Sequence, residues 1–173
     1  IQPLALGGIT YGVSDLELTA AYAAIADGGQ YRKPVFYTKV TDSKGNVLID
    51  NTENKATQVF KASTASLLTN AMEDVLEKGT GVAARLDNMH AAGKTGTAQQ
   101  DGHANHGLFV GYAPYDDPEI TIAVRIANGY NSHNAATAAR NVISYYYKET
   151  SMKDIKEMKA AGANGNIRNS VAD

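Results

Sequence analysis

The sequence predicts an α+β fold, an antiparallel sheet packed with helices, and three observations predict it. Three strand-like runs follow one another closely between residues 91 and 126. Segments of helical character stand before and after that block. The connections between the runs are short, which suits an antiparallel meander. A block of strands with helices at its ends is the pattern of layered α+β packing.

The elements follow in order. Ser14-Asp-Leu-Glu17 reads as a capping box, in which the serine side chain accepts from the backbone of Glu17 and Glu17 reaches back. The alanine-rich run from Leu16 to Asp27 is a helix, closed by Gly28-Gly29. Its small face suits tight packing inside a larger body. Val35 to Thr41 has the β-branched and aromatic content of a strand, Asp42 to Asn46 is a turn, and Val47 to Asp50 returns as a hairpin partner. Asn51 to Thr57 is polar and reads as loop. A second helix starts at Ser63 or Thr64 and ends at Lys78-Gly79, with Leu68, Met72, Val75 and Leu76 on one face. Gly79-Thr80-Gly81 reads as a flexible link, with a short helix or turn near Val82 to Leu86.

The strand block comprises Ala91 to Gln99, Gly107 to Ala113 ended by Pro114, and Glu119 to Ile126. The last run alternates cleanly at Ile120, Ile122, Val124 and Ile126, which leaves Arg125 on the solvated side. Asn134 reads as the cap of a third helix to Lys148, with Ala135, Ala138, Ala139, Val142, Ile143 and Tyr146 forming its apolar face. Residues 1–149 therefore read as one folded unit. Residues 150–173 are polar, lack an apolar stripe and read as a mobile C-terminal tail.

Composition narrows the function. The chain has 173 residues, 43% hydrophobic and 20% charged, enough to bury a core. A net charge of −2 offers no basic surface for nucleic acid or an anionic membrane. Zero cysteines exclude disulfides and thiolate metal sites. No apolar run reaches the length of a transmembrane helix, and Ile1 to Gly8 reads as mid-domain sequence rather than a signal peptide.

Chemistry concentrates in His90-Ala-Ala-Gly-Lys-Thr-Gly-Thr-Ala-Gln-Gln100. Lys94 brings a positive charge, Thr95 and Thr97 bring hydroxyls, and Gly96 leaves the strand surface clear for close approach. Asp101-Gly-His-Ala-Asn-His106 is a second candidate. Asp101, His103 and His106 are zinc-ligand types at short spacing, set against a plainer reading as an exposed polar connector.

Lys-Thr-Gly on a strand resembles one of the three signature elements of the penicillin-recognising serine acyl-transferases. The resemblance extends over most of Leu4 to Tyr147. Leu4 to Ser14 with Ala21 to Gly29 resembles the helix after that family's Ser-x-Asn element. Met72 through Gly81 resembles the helix leading to the active-site strand. Ala92 to Ala98 and Gly107 to Pro114 resemble the third and fourth strands. The chain is thus similar to the carboxyl-terminal part of a penicillin-binding protein transpeptidase domain. Its amino-terminal segment resembles the bifunctional class A enzymes. His106 to Tyr147 resembles the monofunctional class B enzymes, and class B is favoured.

The departure from the family is large. No serine is followed three positions on by lysine, so the nucleophile of a Ser-x-x-Lys element is missing. Ser132-His-Asn134 fits Ser-x-Asn but follows Lys94 instead of preceding it, and reads as coincidence. The chain is therefore expected to begin after both elements, and its first partner to be the N-terminal remainder of the domain. The resemblance implies a DD-transpeptidase that cross-links D-Ala-D-Ala stem peptides of peptidoglycan through an acyl-serine and is trapped by β-lactams. Lys94 would hold positive potential near the substrate carboxylate and help proton traffic. Thr95 and Thr97 would bind that carboxylate, and the Thr97 N–H would be one oxyanion donor. It implies no required cofactor, zinc being the separate alternative, no nucleic-acid partner, and work at the extracytoplasmic face of the membrane through an anchor this chain lacks. A DD-carboxypeptidase, a serine β-lactamase and a non-enzymatic β-lactam sensor are the alternatives on the same fold. The fragment alone is expected to be inactive.

Overall fold

A computed structural model describes residues 7–99 and 102–157. Helix α1 covers Asp15–Ala26, and its capping box is formed as expected: Glu17 N–H donates to Ser14 Oγ at 3.2 Å and Ser14 N–H to Glu17 Oε2 at 2.8 Å. Ala20 and Ala24 make up its buried face. Strand β1 (Gln30–Tyr31) pairs with β4 (Thr57–Gln58), so the end of the predicted 51–57 loop enters a short ladder. Strands β2 (Lys39–Thr41) and β3 (Val47–Asp50) form the predicted hairpin. Asp42 Oδ1 sets its turn by accepting from the backbone N–H groups of Lys44 and Asn46. The first strand is shorter than Val35 to Thr41, because β3 supplies only four residues to pair with and the ladder starts at Lys39↔Asp50.

Helix α2 runs Ala62–Lys78. Lys61 stands at its N-cap with no side-chain cap, so Ser63 and Thr64 lie inside the first turn instead of opening it. Ala65, Met72 and Leu76 are its buried residues, while Leu68 points outward at 43% exposure. A 3-10 turn at Val82–Ala84 follows. Strands β5 (Ala92–Ala98), β6 (His106–Ala113) and β7 (Ile120–Ile126) form the predicted antiparallel meander in the order β5-β6-β7. Its register is unbroken, from Ala92↔Tyr112 to Ala98↔His106 and from Gly107↔Ile126 to Ala113↔Ile120.

Helix α3 covers Ser132–Tyr146, so it begins before Asn134. The Asn134 side chain donates backwards to Gly129 O at 3.0 Å, and Asn131 occupies the cap position. Ala135, Ala136, Ala139 and Ile143 are buried, whereas Val142 and Tyr146 are about half exposed. The predicted tail begins with a short helix. Met152–Glu157 form helix α4, opened by Ser151 and Asp154 in a reciprocal pair: Asp154 N–H donates to Ser151 Oγ at 3.3 Å and Ser151 N–H to Asp154 Oδ2 at 3.2 Å. The rest of the predicted tail, 158–173, lies outside the described residues.

The meander is the middle layer. On one face Phe109 and Ala113 pack with Ala135, Ala139 and Ile143 of α3. On the other, Ala92 and Tyr112 pack with Met72 of α2 and with Tyr22 and Ile25 of α1. Leu76 of α2 and Leu86 join the first cluster, so α2 reaches both layers along the β5 side. Covering from both faces explains why β7 is half-buried at Thr121 and Ala123 as well as at its isoleucines, with Arg125 alone exposed.

Candidate functional site on the edge of the third sheet

Strand β5 pairs with β6 on one side, and no described strand pairs with its other side. That leaves a strand edge bearing Lys94-Thr95-Gly96-Thr97. Gly93 is needed to bring β5 this close to β6. A Cβ there would sit 2.6 Å from the Phe109 ring and 2.9 Å from Val110 O, neither of which can yield. At Gly96 a Cβ would only reach ordinary contact with Leu108 at 3.4 Å, so the missing side chain clears the outer surface rather than the interior.

The site residues fall into two groups. Lys94 and Thr97 are exposed. The Lys94 ammonium donates to the carbonyl of Thr95, which folds the charged end back over the strand. Thr95 is turned inward: it is only 5% exposed, and its hydroxyl lies 2.7 Å from that of Thr80. A hydroxyl expected to face a ligand therefore faces the link after α2.

Further contacts hold α2 against the sheet. The Tyr112 hydroxyl lies 2.6 Å from Thr69 Oγ1. Burial pushes the Tyr112 phenol above its ordinary pKa, and the Thr69 hydrogen bond works the other way. Tyr115 donates its hydroxyl proton to Asn70 and its N–H to His90 O at 2.9 Å. His90 Nδ1 lies 2.7 Å from Glu73 Oε1. Thr69, Asn70, Glu73 and Thr80 were not foreseen as neighbours of the strand. Their partners are 15 to 45 residues away in sequence, and no local pattern marks such pairs.

Of the zinc candidates, His103 and His106 fall among the described residues. His106 Nδ1 accepts the backbone N–H of Asn128 at 3.0 Å and is committed to that bond. Asp101 lies outside the described residues, and among the described residues no group of three or more His, Cys, Asp or Glu side chains is placed to hold a metal. Among the described residues no helix is long and apolar enough to cross a membrane.

Comparison with known proteins gives a consistent result. The family profile described as "Penicillin binding protein transpeptidase domain" matches residues 2–144. The chain is 42% identical over 98 residues to penicillin-binding protein 4 of Bacillus subtilis (strain 168), covering 57% of this chain and 16% of that protein. It is 42% identical over 91 residues to the peptidoglycan D,D-transpeptidase MrdA of Acinetobacter baumannii, covering 44% of this chain and 14% of that protein. The chain thus spans well under a fifth of the length of these relatives. Among solved structures, the D,D-transpeptidase domain of a peptidoglycan glycosyltransferase from Eggerthella lenta superposes with a TM-score of 0.72 at 29% identity, over 79% of this chain and 32% of that one. The imipenem acyl-enzyme of penicillin-binding protein A from M. tuberculosis shares the fold with a TM-score of 0.66 at 23% identity, over 78% of this chain and 31% of that one. The transpeptidases of this family need no cofactor. A profile match over most of the chain, carried on the fold and strand edge described above, places this chain in the penicillin-binding protein transpeptidase domain family.

Proposed function

We propose that this chain is the Lys-Thr-Gly-bearing part of a peptidoglycan DD-transpeptidase. The complete domain cross-links D-Ala-D-Ala stem peptides through an acyl-serine intermediate and is acylated by β-lactams. The observation that carries the reading is the edge of β5 that no described strand pairs, with Lys94 and Thr97 exposed along it. An extended acyl-peptide can lie against such an edge, with its carboxylate near the Lys94 charge and the Thr97 hydroxyl. The Thr97 N–H serves as an oxyanion donor. Thr95, whose hydroxyl is committed inward, contributes by fixing the strand.

The chain holds no Ser-x-x-Lys element, so in this reading the nucleophile comes from the N-terminal remainder of the domain. The serine hydroxyl attacks the carbonyl of the penultimate D-alanine, the terminal D-alanine leaves with a proton on its amine, and the acyl group passes to an amine of a second stem peptide. A β-lactam meets the same serine, its amide opens, and the acyl-enzyme persists. The work belongs at the extracytoplasmic face of the bacterial membrane.

Intact-mass analysis under denaturing conditions, before and after a labelled penicillin, tests this. A penicilloyl adduct on the N-terminal remainder, with this chain unlabelled when it is a separate polypeptide, is the expected result. An adduct on this chain alone would overturn the assignment of the nucleophile. Rapid loss of the adduct would favour a hydrolase, a carboxypeptidase or β-lactamase, over a transpeptidase.

A further inference from the structure

We infer that Thr80 is a positioning residue for the active-site strand, acting through Thr95; this rests on the function proposed above. The inference starts from the Gly79-Thr80-Gly81 link, which is the opposite of flexible. The N–H groups of Gly79 and Gly81 both donate to Val75 O, at 3.1 and 3.0 Å, so the chain folds straight back onto the last turn of α2. A Cβ on Gly79 would lie 2.8 Å from Val75 Cα, against backbone that cannot move aside. A Cβ on Gly81 would lie 3.0 and 3.1 Å from the Val75 and Leu76 side chains, and Gly81 itself is buried. The two glycines let the link close, and the residue between them is presented to β5.

That residue meets the Lys-Thr-Gly strand at its centre. Thr80 Oγ1 and Thr95 Oγ1 are 2.7 Å apart, and Thr95 is 5% exposed. Strand alternation puts Thr95 and Thr97 on the same face of β5. Thr80 therefore covers the buried threonine while the next one on that face stays exposed. With the Thr95 side chain held from below, rotation of β5 about its own axis is blocked, and Lys94 and Thr97 keep their presentation. Among the described strands β5 pairs only with β6, so the Thr80 contact adds a polar tie to a strand with one open edge. The same tie connects α2 and the strand, because the Gly79 and Gly81 bonds to Val75 hold the Thr80 backbone against the last turn of α2.

The test compares Thr80→Val, which keeps the shape and removes the hydroxyl, with Thr80→Ser, which keeps the hydroxyl. The first readout is amide hydrogen exchange of Lys94 and Gly96 in this chain, whose N–H groups alternate with the outward Thr97 N–H and so face β6. Thr80→Val is expected to speed it about tenfold and Thr80→Ser to leave it within about twofold. The second is the penicillin acylation rate of the complete domain, counted per labelled site so that unfolded protein does not contribute. There Thr80→Val is expected to slow acylation about tenfold, with Thr80→Ser restoring it. Wild-type exchange in Thr80→Val overturns the inference, as does a wild-type acylation rate per labelled site. A wild-type domain that takes no penicillin at all overturns the proposed function instead, and the exchange comparison still decides the role of Thr80.

Discussion

At the residue scale, Lys94 and Thr97 share one strand with Thr95 yet behave differently. Both are exposed, so replacing either removes little packing. We expect Lys94→Ala and Thr97→Val each to lower the rate of penicillin acylation of the complete domain by about 10²-fold or more. Stability should change by no more than about 0.5 kcal/mol, as is usual for surface substitutions. Acylation kinetics beside a urea melt check this, and a loss of rate that tracks a loss of stability would contradict it. Lys94, Thr95, Gly96 and Thr97 were all legible as residues, because their types and order form a motif. The inward turn of Thr95 was not, because its partner Thr80 lies 15 residues away on a separate element.

Elements were legible where the stabilising contacts are local. The capping box of α1 was readable because Ser14 and Glu17 are three residues apart and the side chain of each bonds the other residue. It also makes a pH prediction. Hydrogen bonds from the Ser14 backbone and then its hydroxyl hold the Glu17 carboxyl below its ordinary pKa. A carboxylate lowered in the folded state stabilises fully above its unfolded pKa and loses that contribution as pH falls through the folded value. Ser14→Ala should therefore lower stability at neutral pH. The difference from wild type should shrink on acidification below the ordinary glutamate range, as followed by thermal melts across pH. An unchanged difference at low pH would argue against the box. At the other end of the fold, Tyr147 at the α3 C-terminus lies 3.3 Å from both Ala113 O and Glu119 Oε2. Burial first, and Glu119 second, push its phenol up to about 12. That anchor is complete below the ordinary tyrosine pKa of 10.0 and is lost as pH rises towards 12. The helix starts at Ala62 and Ser132 were less legible, since neither carries a side-chain cap and packing alone sets where those helices begin.

At the scale of the whole molecule, the described chain exposes large apolar side chains on several elements. Leu67 of α2 is 71% exposed, and Phe36 and Leu48 beside and within the hairpin are 83% and 64% exposed. Together with an unpaired β5 edge, such surface calls for a covering partner. In the proposed function the N-terminal remainder of the domain is that partner. The chain by itself should bind a hydrophobic dye such as ANS, and adding the remainder should abolish most of that signal and raise the melting temperature. Equal dye binding with and without the remainder would count against the pairing.

The sequence by itself determined the α+β class, the meander and its strands, the hairpin, the capped first helix and the family to which the motif belongs. Each rests on side-chain period, turn chemistry or contacts within a few residues, which are written along the chain. Only the tertiary structure decided that Leu68 stays outside the buried face of α2, that Gly79-Thr80-Gly81 is a closed turn, that His106 spends its Nδ1 on Asn128, and that Thr95 is held by Thr80. Those outcomes depend on which distant surfaces meet, and packing around a shared sheet settles them.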